Sequence, residues 1–185
     1  ITNQSPNVIA LGGICRTFQN VRVLPSLTVL QNLLVSLQQH QEDNILNRAL
    51  RVKSVRDHEI VSVLRADEVM EQVGLAELRD VEVHNLVYGQ RKLLEFACAI
   101  IPDPDLVMLD EPAAGVSTAM VDQMKENIVK LNKNGKTFLV VEHNMGVVMD
   151  ISKRIVVLDH GRKIAEGSPF EIREDELVRE AYFGR

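Results

Sequence analysis

Leu106-Val107-Met108-Leu109-Asp110-Glu111-Pro112 is a short apolar run closed by two adjacent carboxylates and a proline. A run this short and this apolar suits a strand buried on both faces of a parallel sheet. Ligands of open α/β sheets lie beyond the carboxyl ends of such strands, so Asp110 and Glu111 emerge where a ligand would sit, with Pro112 stopping the strand behind them. An acid pair in that place has two uses. One carboxylate holds a hard cation such as Mg²⁺, directly or through water, and the other takes a proton from water. The plain competing reading is a strand followed by a polar turn that is acidic by accident.

Downstream of this run, Thr118 can cap a helix whose apolar face is Met120, Val121, Met124, Ile128 and Leu131, with Gly135 as its stop. Thr137–Val141 reads as a second buried strand ending at Glu142-His143, and a short helix follows near 145–152. Ile155–Leu158 reads as a third strand, after which Asp159-His160-Gly161 turns the chain into Lys163-Ile164-Ala165. Ser168-Pro169 opens a terminal helix with proline at its first position. Strand, helix, strand, helix, strand implies an α/β fold with a parallel sheet.

Upstream, Ile14–Phe18 reads as a short strand leading into Gln19 after the break at Gly12-Gly13. Thr28 and Gln31 make a capping box ahead of Leu30, Leu33, Leu34 and Leu37 at helical spacing. Residues 38–56 are polar and fit either a solvated helix or a loop. A second helix runs from about Glu59 to Val73, with Ile60, Val61, Leu64, Val69, Met70 and Val73 as its apolar face and Gly74 as its stop. A charged connector follows, then a third helix over Tyr88–Ile101 carrying Leu93, Leu94, Ala97 and Ile101. Residues 27–98 therefore read as helical, with no convincing strand.

The chain has 185 residues, 45% of them apolar, which is enough for one domain or a domain with a subdomain. A net charge of −5 argues against a nucleic-acid footprint. Cys15 and Cys98, far apart, suggest neither a zinc site nor a disulfide framework, and a reducing compartment fits. No apolar run approaches a membrane span, and no signal pattern opens the chain. It begins with Ile1 and not Met, which suggests a trimmed piece of a longer chain.

Four segments carry candidate chemistry: Gln19 after a strand, Leu86-Val87-Tyr88-Gly89-Gln90 before a helix, Asp110-Glu111 at one strand end and His143 at another. Each alone has an ordinary structural explanation. A glutamine in a turn is usually just solvated, a histidine after a strand is more often structural, and a glycine at a helix start is commonly a turn residue. A helix start does, however, offer free N–H groups to an anion.

In this order and spacing the segments resemble the nucleotide-binding domain of ABC transporters. Arg16-Thr17-Phe18-Gln19-Asn20 looks like the Q-loop, Leu86–Gln90 like the signature motif in its LSYGQ form, and Leu106–Glu111 like the Walker B strand with its following glutamate. Ala114-Gly115-Val116-Ser117 stands where the D-loop belongs, and Val141-Glu142-His143-Asn144 looks like the switch-histidine segment. The runs RTFQNVR (16–22), LTVLQNLL (27–34), LDEPAAG (109–115) and VVEHNM (140–145), with the ending Glu180-Ala181-Tyr182-Phe183-Gly184, resemble the ATP-binding subunits of branched-chain amino acid importers. Urea and amide importers have very similar subunits.

The resemblance implies a P-loop NTPase-like parallel-sheet core, truncated at its N-terminus and carrying an inserted α-helical subdomain. The implied partition is 1–26 as a remnant of the N-terminal core, 27–98 as the helical subdomain, 99–168 as the α/β core and 169–185 as a helical tail. It further implies ATP as substrate and Mg²⁺ as metal, with Asp110 and Gln19 on the metal through the nucleotide. Glu111 would activate water, Gln19 would also reach that water and share in catalysis, and His143 would hydrogen-bond the water and sense the terminal phosphate. Val87, Tyr88, Gly89, Gln90 and Ser117 would meet a nucleotide held by a second, homologous ATP-binding subunit. Integral membrane permease subunits are the other implied partners, nucleic acid is not one, and the implied location is peripheral, on the cytoplasmic face of the membrane.

Three departures qualify the pattern. Residues 1–18 contain no G-x-x-x-x-G-K-[ST] phosphate loop, and KLNKNGKT at 130–137 lacks the leading glycine and precedes a strand instead of a helix. The chain by itself is therefore expected to bind ATP weakly and to be inactive. Val87 stands where the signature carries serine, losing a hydroxyl, and Ser117 stands where the D-loop often has aspartate. The alternatives are an inactive remnant or regulatory partner, a soluble ABC ATPase acting on DNA or ribosomes, and a plain α/β binding domain.

Overall fold

A computed structural model of the chain describes residues 1–37 and 52–183, with backbone alone for 52–58 and 183. In chain order its elements are α1 (Pro6–Leu11), β1 (Ile14–Arg16), α2 (Val29–Leu37), α3 (Val52–Val73), α4 (Tyr88–Ile100), β2 (Leu106–Asp110), α5 (Thr118–Lys133), β3 (Thr137–Val141), α6 (Met145–Ile151), β4 (Ile155–Asp159), β5 (Arg162–Gly167), α7 (Pro169–Glu174) and α8 (Glu176–Phe183), with two single 3₁₀ turns at Ala76–Leu78 and Val83–Asn85. The chain divides into two compact units, Ile1–Val141 and Glu142–Arg185.

In the first unit β2 lies between two parallel neighbours, in the order β1-β2-β3. Ile14 stands opposite Leu106 on one side and Thr137 opposite Leu106 on the other. Parallel strands need long crossovers, and the chain supplies them. Residues 17–105, with α2, α3 and α4, join β1 to β2, and α5 joins β2 to β3. Val107 and Leu109 are buried, and the alternate residues of β2 are half-buried.

The helices of this crossover pack around Val29, Leu33, Val69, Met70, Val73, Leu94, Phe96 and Ala97, all buried. The expected capping box forms: the Thr28 hydroxyl accepts from the Gln31 amide at 3.2 Å, and the Gln31 carbonyl accepts from the Thr28 amide at 2.9 Å. Buried Asn32 fixes the preceding turn by accepting from the Leu24 amide at 2.8 Å and donating to the Leu24 carbonyl at 3.1 Å. Gly74 stops α3 at φ +72°, as its place in the sequence predicts.

Several expectations are corrected. Ile60, Val61 and Leu64 are exposed, and the buried face of α3 among the described side chains is Ala66, Val69, Met70 and Val73. An apolar stripe fixes a helix face but not how far its neighbours reach along it. Ser117, not Thr118, holds the N-cap position of α5, and it makes no side-chain cap bond. Pro6–Leu11 is a helix with no buried residue, so it has no amphipathic face for the sequence to show. β3 alternates exposed and half-buried residues, with Leu139 54% and Val141 58% exposed. A strand paired on one flank and covered on one face has the same apolar composition as one buried on both. Residues 38–51 of the ambiguous polar stretch lie outside the described residues, and helix α3 is under way from Val52.

In the second unit Ile155–Leu158 does not extend the parallel sheet. β4 pairs antiparallel with β5, Asp159 opposite Arg162. His160 at φ +45° and Gly161 at φ +75° make the two central residues of a turn with positive φ at both positions. That turn matches the twist of a tight hairpin, and a two-residue link returns the chain only antiparallel. Ile155, Ala165, Ile172 and Val178 form this unit's core, with Met145, Val148, Met149 and Val157 against it. Ser168 and Glu171 form a capping box at α7, behind Pro169. Among the described residues no helix is long and apolar enough to cross a membrane.

Candidate functional site

The carboxyl end of β2 gathers three of the residues expected there. Arg16, the last residue of β1, places a guanidinium nitrogen 3.2 Å from the Asp110 carboxylate. Buried Thr17 takes the ladder one step further: its amide donates to the Met108 carbonyl at 2.9 Å, and its hydroxyl accepts from the Asp110 amide at 3.1 Å. The Gln19 side-chain amide donates to the Glu111 carboxylate at 3.3 Å. Gln19 and Glu111, 92 residues apart in sequence, thus meet through their side chains, with Asp110 beside them. Glu111 lies at φ +46°, in the left-handed region, its amide bonded to the Val141 carbonyl at 2.9 Å. A non-glycine residue there costs of order 1 kcal/mol or more and turns the side chain out of the strand's alternation.

Two buried charges behind this cluster were not anticipated. Lys92 and Glu95 are 3% and 6% exposed on α4. The Lys92 ammonium donates to the Gln19 carbonyl at 3.0 Å. One oxygen of Glu95 accepts from the Phe18 amide at 3.3 Å and from the Arg22 amide at 3.2 Å. Burial pushes the Glu95 carboxyl above the usual range, opposed by those two amides and by the Lys92 charge. The signal was present in the sequence, as two charged residues three apart amid Leu93, Leu94 and Phe96. Helical spacing alone puts Glu95 on the edge of the apolar face, where a charge usually reaches solvent. Arg22 also lies over the Phe18 ring, 3.9 Å from its centre, and Arg16 lies 5.4 Å from the same centre.

The segment resembling the signature motif opens α4. Val87 is its N-cap, and only half a capping box forms, the Gln90 side chain accepting from the Val87 amide at 3.1 Å. Val87 and Tyr88 are exposed, while Gly89 is buried. A Cβ at Gly89 would lie 2.7 Å from Met120 Sδ, so a larger residue there would require that side chain of α5 to shift. Gly115, at φ +71°, faces the Tyr88 ring, and a Cβ there would lie 2.9 Å from it. Tyr88 therefore ties the signature segment to the D-loop segment, which ends at exposed Ser117. A groove of about 240 Å³ runs beside the Gln19 loop, lined by Asn20, Val21, Val23, Pro25, Val83, Tyr88 and Arg91.

His143 belongs to the second unit. It is exposed in the turn before α6, where one Glu142 oxygen accepts from the His143 amide at 3.0 Å and from the Asn144 amide at 3.1 Å. Asn144 caps α6 through the Val147 amide. The first unit brings Gln19, Asp110 and Glu111 together; His143 is placed within the second unit alone. KLNKNGKT runs from the end of α5 into β3, through Gly135 at φ +92°. Its Lys136 is held by the Asp103 carbonyl at 3.0 Å and carboxylate at 2.9 Å, so it is a helix stop and strand start. Among the described residues no three His, Cys, Asp or Glu side chains gather as a cage for a metal. The donors at the end of β2 are hard oxygen ligands, one of them already facing a cation, which suits Mg²⁺ carried by a nucleotide.

A parallel sheet with a helical crossover inserted between β1 and β2 is an α/β arrangement consistent with the P-loop NTPase-like class. The solved nucleotide-free ATP-binding cassette from an ABC transporter superposes over 100% of this chain and 74% of its own, with TM-score 0.78 and 30% identity. The ADP conformation of MJ1267, also an ABC transporter cassette, gives TM-score 0.77 over the same shares, again at 30% identity. The family model for ABC transporter matches residues 6–114, and that for branched-chain amino acid ATP-binding cassette transporter matches 162–185. The chain belongs to the ABC transporter family. It is 38% identical to the high-affinity branched-chain amino acid transport ATP-binding protein LivG of Escherichia coli, over 95% of this chain and 69% of that protein. It is likewise 38% identical to the probable LivG of Archaeoglobus fulgidus, over 100% of this chain and 70% of that one.

Proposed function

We propose that the gene product containing this chain hydrolyses ATP to drive uptake of branched-chain amino acids through integral membrane permease subunits, from the cytoplasmic face of the membrane. The observation that carries the reading is the Gln19–Glu111 hydrogen bond at the end of β2, with Asp110 alongside. The names of the relatives supply the solute class, because nothing in an energy-coupling subunit need touch the solute.

In this reading Glu111 orients the attacking water and accepts its proton. Asp110 and the Gln19 amide oxygen would hold nucleotide-borne Mg²⁺, which neutralises charge developing on the transferred phosphoryl group. His143 would hydrogen-bond the terminal phosphate. The start of α4, at Val87, Tyr88, Gly89 and Gln90, with Ser117 nearby, would face the nucleotide of a second, homologous subunit, its first-turn N–H groups directed at phosphate. The groove beside the Gln19 loop is our assignment for the permease contact. In this reading residues 27–98 act as the helical subdomain.

A regulatory or inactive partner is the second reading, favoured by exposed Val87, which has no hydroxyl to offer a phosphate. Glu111→Gln in the full gene product separates the two. As a motor, the variant loses hydrolysis by about 10²–10⁴-fold, the range for a general base, while still retaining ATP. A regulatory partner shows no change in either quantity, and that result would sink the motor reading.

A further inference from the structure

We infer that Lys92 and Glu95 are positioning residues that fasten the backbone of the Gln19 loop to helix α4 and so hold the Gln19 side chain against Glu111. Three hydrogen bonds carry the inference, all from side chains buried on one helix to backbone atoms of one loop. Lys92 donates to the Gln19 carbonyl, and Glu95 accepts from the Phe18 and Arg22 amides. Both side chains are more than nine-tenths buried. Burying two charges needs compensation, and a pair of apolar residues would pack there without it. What the charged pair adds is a grip on backbone atoms, which leaves the Gln19 side chain directed at Glu111. Glu95 closes the loop at both ends, residues 18 and 22, and Lys92 holds its middle. α4 starts at Tyr88, one turn before Lys92, so the clamp and the signature segment lie on one helix.

The inference rests on the hydrolytic reading of Gln19, and its test has one arm that does not. In the full gene product without nucleotide, amide hydrogen exchange is followed at Phe18 and Arg22. Glu95→Met removes the acceptor and is expected to speed exchange at both amides by about tenfold or more, with β2 unchanged. Glu95→Gln keeps an acceptor oxygen and is expected to retain most of the protection. Unchanged exchange at Phe18 and Arg22 in Glu95→Met, or equal acceleration in β2, overturns the clamp. If Glu95→Met does not fold, Lys92→Met, which releases the Gln19 carbonyl, is expected to speed exchange at Phe18 and Arg22 with β2 unchanged, and unchanged exchange there overturns the clamp.

The second arm is kinetic. Lys92→Met is expected to lower kcat about tenfold with KM for ATP held within about twofold, the signature of a loss confined to the transition state. Combined with Gln19→Ala, it should be no slower than Gln19→Ala alone. Multiplied losses, or a rise in KM with unchanged kcat, overturn the positioning role. A wild-type gene product that hydrolyses no ATP removes the proposed function, and the exchange arm still decides the clamp.

Discussion

Cys98 lies on α4, where burial pushes its thiol up to about 11; the nearby Glu95 charge adds to this, and a Ser36 hydrogen bond opposes it. Burial raises Cys15 as well. The thiolate is the reactive form, so at pH 8 only about one Cys98 in a thousand is ionised. Iodoacetamide at pH 8, followed by mass spectrometry, should label Cys98 far more slowly in the native chain than in urea, and labelling should accelerate as pH rises toward 11. Equal native and denatured rates would contradict the burial. At Gly115 both handedness and space are constrained, since φ is +71° and Tyr88 lies against the α-carbon. Gly115→Ala should lower stability by about 1–3 kcal/mol in urea titration. Adding Tyr88→Ala should recover the steric part and leave the conformational part. Full recovery would show that only the ring contact matters.

At the scale of elements, the strands and long helices were legible because their signals are local. The Thr28/Gln31 box, the glycines at 74 and 135 and the apolar runs at 106–109 and 137–141 each name an element without a partner. What encloses an element is not local. β3 and residues 60, 61 and 64 of α3 read as buried because they are apolar, yet Leu139, Val141, Ile60, Val61 and Leu64 are exposed. β4 read as another parallel strand because pairing direction depends on the turn after it, where His160 takes a positive φ that its residue type only weakly announces. The exposed face of β3 gives a direct measurement. In the chain Ile1–Arg185, Leu139→Thr with Val141→Thr should reduce binding of a hydrophobic dye. Each exposed change should alter stability by only about 0.5 kcal/mol or less. Undiminished dye binding would place the accessible apolar surface elsewhere.

For the whole molecule, motif order revealed what no single residue did. Gln19, Asp110, Glu111 and His143 were expected together because the family's motifs occur in sequence, and the first unit brings the first three of them together. Lys92 and Glu95 escaped notice because a buried charge declares itself only when its backbone partners, 73 and 77 residues away, are in place. Phosphate recognition in this fold class depends on backbone N–H groups of a glycine-rich loop, and residues 1–18 contain none. The chain Ile1–Arg185 should therefore bind Mg·ATP with a dissociation constant of about 1 mM or weaker by calorimetry, under about 4 kcal/mol of affinity. A micromolar constant would mean that the β2 acids and the start of α4 suffice by themselves.

The backbone at residue 111 has a further consequence. Its handedness is one that glycine or asparagine satisfies readily, yet a glutamate occupies it. A screen of the full gene product that selects only for resistance to unfolding should thus return replacements at this position among its winners, and under the proposed hydrolytic role of Glu111 each such winner should have lost ATP turnover.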